Sequence, residues 1–94
     1  MLEQNREDLR KVLLRALNKN QILILEHVDD NSQSITFALK RLSDMFGVPL
    51  STLKLNARIL KGLGLIDFGN SSDFKKPRIT EIGKIVMNLI ERGD

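Results

Sequence analysis

Leu39-Lys40-Arg41-Leu42-Ser43-Asp44-Met45-Phe46-Gly47-Val48-Pro49-Leu50-Ser51-Thr52-Leu53-Lys54-Leu55-Asn56-Ala57-Arg58-Ile59-Leu60-Lys61-Gly62-Leu63-Gly64-Leu65-Ile66 is the stretch on which the fold of this 94-residue chain turns. Phe37, Ala38, Leu39, Leu42, Met45 and Phe46 are spaced as the buried side of one helix. Gly47 follows, the residue that most easily takes the left-handed conformation ending a helix, and Pro49 forbids continuation. Ser51 or Thr52 is the expected cap of a second helix, whose inner face is Leu53, Ala57 and Leu60, extended by Leu63. Gly62 and Gly64 end it. Helix, sharp turn and helix in this order form a helix-turn-helix, a motif whose second helix can enter the major groove of DNA.

Working outward, Asn5 with Asp8 three residues on resembles a helix start, and Leu9, Val12, Leu13, Ala16 and Leu17 recur as one apolar face, with Leu14 off it. Asn18-Lys19-Asn20 reads as a break. Ile22 to Val28 is an apolar segment that we read as helix, because Gln21 and Glu26 suit one, and Asp29 to Ser34 reads as loop. Ser34-Ile35-Thr36 is expected to make a brief strand, with Thr36 or Ser34 capping the helix that follows. Beyond the second helix, Leu65 to Phe68 and Lys76 to Ile79 flank a Gly/Asn/Ser turn and read as a hairpin, Pro77 marking an edge strand. Thr80 is the expected cap of a last helix with the stripe Ile82, Ile85, Val86, Leu89 and Ile90, stopped at Gly93. The expected class is therefore mainly α with a small β-hairpin (α+β), in one compact unit. Residues 1–20 form an N-terminal helix and residues 21–94 the main domain.

Composition narrows the function classes. The chain has no cysteine, which excludes disulfides and thiolate metal sites. It has no apolar run long enough to span a membrane, and its polar, partly acidic start does not match a secretory signal. We expect a cytoplasmic, nucleoid-associated protein without cofactor or metal. The net charge of +3 is unevenly placed: residues 40–78 carry eight basic against three acidic side chains, a net +5, while both flanks are slightly acidic. His27, the single histidine, reads as structural, since a metal site needs several ligands. No nucleophile with a base and an orienting group, and no Gly-rich phosphate loop, can be assembled, so we expect no enzyme activity.

Two runs go beyond element order. Ser51-Thr52-Leu53-Lys54 with Leu60-Lys61-Gly62-Leu63-Gly64-Leu65-Ile66 resembles the "S-T-V … L … L-G-L-I" run of prokaryotic winged helix-turn-helix transcriptional regulators, the broad MarR-like and ArsR-like group. Ile79-Thr80-Glu81-Ile82-Gly83 resembles the "L-T-x-x-G" that follows their wing. The resemblance covers roughly residues 21–90. It implies a winged helix-turn-helix with an additional N-terminal helix, acting on double-stranded DNA as a homodimer. By matching positions, the recognition helix is about 51–63, with Ser51, Thr52, Lys54, Leu55 and Arg58 outward. The basic wing is 65–79, with Lys75, Lys76 and Arg78 near phosphates. The chain departs from the pattern in having Ala at position 57, a second apolar edge at Leu55 and Ile59, and no Arg at the wing tip.

Each of these residues has two readings. Lys54 and Arg58, one turn apart, either reach base edges and phosphate or are an ordinary solvated helix surface. Ser51 and Thr52 cap the helix, seat a phosphate, or divide the two tasks. Leu55 points outward to thymine methyls, or packs with Ile59 under the wing or at a protein interface. Lys40 and Arg41 meet phosphate or solvent. The terminal helices carry the candidate dimer contacts Leu9, Leu13, Leu17, Val86, Leu89 and Ile90, which alternatively cover the monomer's own core. The competing function is a winged helix used as a protein–protein module in a transcription, replication or RNA-processing assembly, which Leu55, Ile59 and the modest net charge favour.

Overall fold

The computed structural model describes residues 2–30, 34–70 and 72–91. Among them are five α-helices and one antiparallel strand pair: α1 (Leu2–Ala16), α2 (Lys19–His27), α3 (Ile35–Phe46), α4 (Leu50–Gly62), β1 (Ile66–Asp67), β2 (Arg78–Ile79) and α5 (Glu81–Glu91). A single 3-10 turn, Val28–Asp30, follows α2. Ile66 pairs with Ile79 and Asp67 with Arg78. The class is thus mainly α with a small β element, as the sequence led us to expect.

Local chemistry explains most of the boundaries. Asn18 caps α2 in a reciprocal box: its Oδ1 accepts from the Gln21 backbone N–H at 2.8 Å, while the Gln21 side chain accepts from the Asn18 N–H at 3.1 Å. Ser34 caps α3, its Oγ accepting from the Phe37 N–H at 3.1 Å. That cap draws Ile35 and Thr36 into the helix, so the brief strand expected at 34–36 does not form. Gly47 closes α3 at φ 71°, a conformation that costs other residues the clash of a Cβ, and its N–H reaches the Ser43 carbonyl at 2.9 Å. Helix α4 starts at Leu50 behind Pro49 (φ −57°), so Ser51 and Thr52 lie inside its first turn rather than capping it. Helix α1 likewise starts at Leu2, so Asn5 lies within it and is not its cap. It ends at Ala16, short of the Asn18-Lys19-Asn20 break. Gly93, the expected stop of the last helix, lies outside the described residues.

The core gathers on α4. Leu53, Ala57 and Leu60 form its buried face, as their spacing requires, and pack with Ile24, Leu25 and Val28 of the α2 segment, Leu39 and Leu42 of α3, Ile66 of β1 and Met87 of α5. Three expectations about this core are corrected. Phe37, Met45 and Phe46 on α3 are exposed, because the cluster needs only Ala38, Leu39 and Leu42 from that helix. Leu63 is exposed, since the chain turns away as α4 ends. On α5, Gly83 and Met87 are buried while Ile82 and Ile85 face solvent: the helix is rotated so that its glycine meets the Leu65 carbonyl. Val86, Leu89 and Ile90 remain half-buried.

Two polar side chains, Gln21 and Asn56, are buried beside these apolar contacts. Asn56 is buried on α4; its Oδ1 accepts from Asn18 Nδ2 and Gln21 Nε2, both at 3.1 Å, and its Nδ2 donates to the Thr52 carbonyl at 2.9 Å. All three bonds are satisfied by protein, tying the start of α2 to the middle of α4. Asn56→Ala would leave the buried Gln21 amide without its acceptor, which costs about 1–3 kcal/mol. We expect the midpoint of thermal unfolding to fall by about 4–20 °C at this domain size, measured by circular dichroism.

Candidate functional site

The turn between α3 and α4 presents the start of α4 to solvent. Pro49 makes no side-chain cap bond, and the first helix-type bond runs from the Leu53 N–H to the Pro49 carbonyl at 3.2 Å. The N–H groups of Leu50, Ser51 and Thr52 precede that bond and have no partner within the helix. Ser51 is exposed there, whereas Thr52 is half-buried and its carbonyl is taken by Asn56.

Lys54 and Arg58 are both exposed, one turn apart on α4. They line a cleft of about 300 Å³ together with Ala57, Ile35, Thr36 and Leu39 of α3, and Phe68 just beyond β1. The Lys61 ammonium lies 4.6 Å from the centre of the Phe68 ring and donates to the Phe68 carbonyl, which fastens the start of the β1–β2 loop to α4.

A second cleft, about 290 Å³, adjoins the first: Ile35 and Thr36 line both. Its other walls are Ser34 and, from the loop between the strands, Gly69, Asn70, Phe74 and Lys75. That loop is internally bonded. Asn70 Oδ1 accepts from the backbone N–H groups of Ser72 (2.8 Å) and Asp73 (2.7 Å), and the Asn70 N–H reaches the Asp73 carbonyl at 3.1 Å.

The expected site residues therefore separate into groups. Lys54 and Arg58 line the first cleft and Lys75 the second, and the two clefts share Ile35 and Thr36. Lys40 and Arg41 are exposed in the middle of α3, and Lys76 is exposed after the loop, but none of the three lines either cleft. Arg78 is 3.7 Å from the Asp67 carboxylate across the strand pair, so part of its charge is already answered within the chain. Leu55 (55% exposed) and Ile59 (41%) do not pack under the hairpin; with Leu63 (59%), the residue that follows α4, they form an open apolar stripe. Of the terminal-helix residues, Leu17 is in the chain's own core, which corrects its assignment to a partner contact. Helix α1 packs along α5, with Arg10 Nε donating to the Ile90 carbonyl at 3.3 Å. The apolar side chains left exposed on these two helices are Leu9, Val12, Leu14, Ile82 and Ile85. His27 is half-buried with its ring 5.5 Å from that of Phe46.

Sequence reasoning missed Phe68, Phe74, Ile35 and Thr36 as cleft walls. The available signal was the interleaving of aromatic and basic residues in Lys61…Phe68 and Phe74-Lys75-Lys76. Among the described residues no helix is long and apolar enough to cross a membrane, and no group of three potential metal ligands converges. Comparison of the chain with protein-family models, curated proteins and solved structures returns no significant match.

Proposed function

We propose that this chain is a winged helix-turn-helix transcriptional regulator, similar to the prokaryotic MarR-like and ArsR-like group, that binds DNA sequence-specifically as a homodimer. In this reading α4 is the recognition helix in the major groove and the β1–β2 loop is the wing on the phosphate backbone. The role is one of occupancy rather than catalysis. The observation that carries it is the double cleft, in which Lys54 and Arg58 of α4 line one half and Lys75 of the loop lines the adjoining half. An Arg at position 58 can fork onto a guanine edge, and the two lysines suit phosphate. The open backbone N–H groups at the start of α4 and exposed Ser51 add a natural phosphate seat. Two such faces in a two-fold dimer would read half-sites about one helical turn apart.

The test is binding of a labelled duplex followed by fluorescence anisotropy at several salt concentrations. Each neutralised phosphate contributes about −0.9 to the slope of log affinity against log salt. Lys75→Ala should flatten that slope by about one unit and weaken all duplexes alike, without changing their ranking. A salt-independent affinity, or a Lys75→Ala slope equal to that of the unaltered chain, would remove this face from the contact.

A second reading, a protein–protein module, is favoured by one observation: the open stripe Leu55, Ile59 and Leu63 along the same helix and its end. It requires that duplex DNA fail to bind at low salt.

A further inference from the structure

Phe74 is 63% exposed, more than any other large apolar side chain described, and it stands beside Lys75 in the wall of a cleft. Phe68, half-buried against the core, lies next door. Lys61 lies over its ring, and the ring lines the first cleft with Lys54 and Arg58. The two cells are joined through Ile35 and Thr36.

We infer that this double cleft receives unpaired nucleotides, one base against Phe74, with the cations following the sugar-phosphate strand. The inference rests on the nucleic-acid reading above and goes further, by naming the form of the strand that this face takes. Three observations carry it. First, the alternation is that of a single-strand track: aromatic rings offer a face on which any base stacks, and basic side chains between them neutralise phosphates. A paired duplex shows only the edges of its bases and offers a ring no base face on which to stack. Second, each cleft, at about 300 and 290 Å³, lies at the lower limit of small-ligand pockets, about 300 Å³. That volume suits a flat heterocycle. Third, the polar groups at hand are of the kind that read base edges. Thr36 is exposed and carries a hydroxyl, and the Asn70 side chain bonds the loop only through Oδ1, leaving its Nδ2 protons without a bond among the described residues. Unpaired nucleotides of this kind arise where a bound site is bulged, gapped or locally melted.

The experiment uses the full chain and three labelled probes: a fully paired duplex, the same duplex with a short central thymidine bulge, and an oligothymidine strand. The bulged duplex should bind about tenfold more tightly than the paired one, the effect expected of one stacked base. Phe74→Ala should weaken the bulged duplex far more than the paired one, abolishing most of that advantage, and Phe74→Trp should retain it. The exposure of Phe74 makes these variants safe for folding, which circular dichroism checks. Equal affinity for the bulged and paired probes, or an advantage that survives Phe74→Ala, overturns the inference and leaves the duplex reading standing. If the oligothymidine strand binds while the paired duplex does not, the inference stands and the duplex reading falls; if none of the probes binds, both fall together.

Discussion

Lys54→Ala combined with Arg58→Ala is expected to lower affinity for a preferred duplex by roughly 30- to 1000-fold, or about 2–4 kcal/mol. The two side chains leave α4 one turn apart into the same cleft, so their loss removes a forked base contact and a neighbouring phosphate contact together. The single variants should differ in kind. Lys54→Ala weakens all duplexes, whereas Arg58→Ala also narrows the gap between preferred and random sequences. Leu55→Ala with Ile59→Ala provides the contrast. Those residues form the apolar stripe beside the cations, and their removal should change duplex affinity by less than about threefold if the stripe serves another purpose. If instead the Leu55/Ile59 variant abolishes an interaction with another protein while the Lys54/Arg58 variant binds DNA as before, the interaction-module reading replaces the regulator.

The second large effect concerns the fold. Gly83→Ala is expected to cost about 3 kcal/mol, lowering the unfolding midpoint by roughly 12–24 °C. Gly83 is buried in the first turn of α5, and an added methyl would fall on the Leu65 carbonyl oxygen and crowd the Ile79 side chain at 2.6 Å. That carbonyl is already the acceptor of the Thr80 N–H at 3.0 Å, and Thr80 Oγ1 donates to the Gly64 carbonyl at 2.6 Å while accepting from the Gly83 N–H at 3.0 Å. Backbone blocks the space, so repacking of a side chain gives no relief. The same change at Gly62 should have the opposite sign. Nothing lies within 4 Å of a Cβ there, and the helical conformation is retained, so Gly62→Ala should stabilise by about 0.4–1 kcal/mol. A thermal melt of the two variants side by side checks both; equal midpoints would mean that the docking of α5 on Leu65 is not tight.

The parts of this fold legible in the sequence are those fixed by near neighbours. The spacing of Leu53, Ala57 and Leu60 names the buried face of α4, and Gly47 followed by Pro49 marks the turn before it. Thr80 accepts from the Gly83 N–H as a helix cap should. The misreadings have physical reasons. Ser51 and Thr52 are good capping types, but Pro49 has its φ already set for a helix entry, and spacing alone does not separate a cap from a first-turn residue. The β-branched pair Ile35-Thr36 suggests strand, yet the Ser34 hydroxyl holding the Phe37 N–H decides for helix. On α5 the bulkiest stripe runs through Ile82 and Ile85, but the close approach at Gly83 turns another face inward, a contact with a residue eighteen positions away that periodicity does not register. The double cleft was the least legible feature. Its walls come from residues near 35, 57, 68 and 74, and only the folded chain makes Thr36 a neighbour of both Arg58 and Lys75. The basic residues could be named individually; the division between those that converge and those that do not could not.

The amide set around Asn56 has a bearing on how this surface could vary. Directional bonds on the rear of α4 fix its azimuth against α2, so what the front displays at positions 54, 55 and 58 follows from a decision made on the hidden side. Front and rear are thereby decoupled: the displayed side chains form an interchangeable cassette on a keyed shaft, open to re-specification without retuning the scaffold, so long as the key stays in its slot.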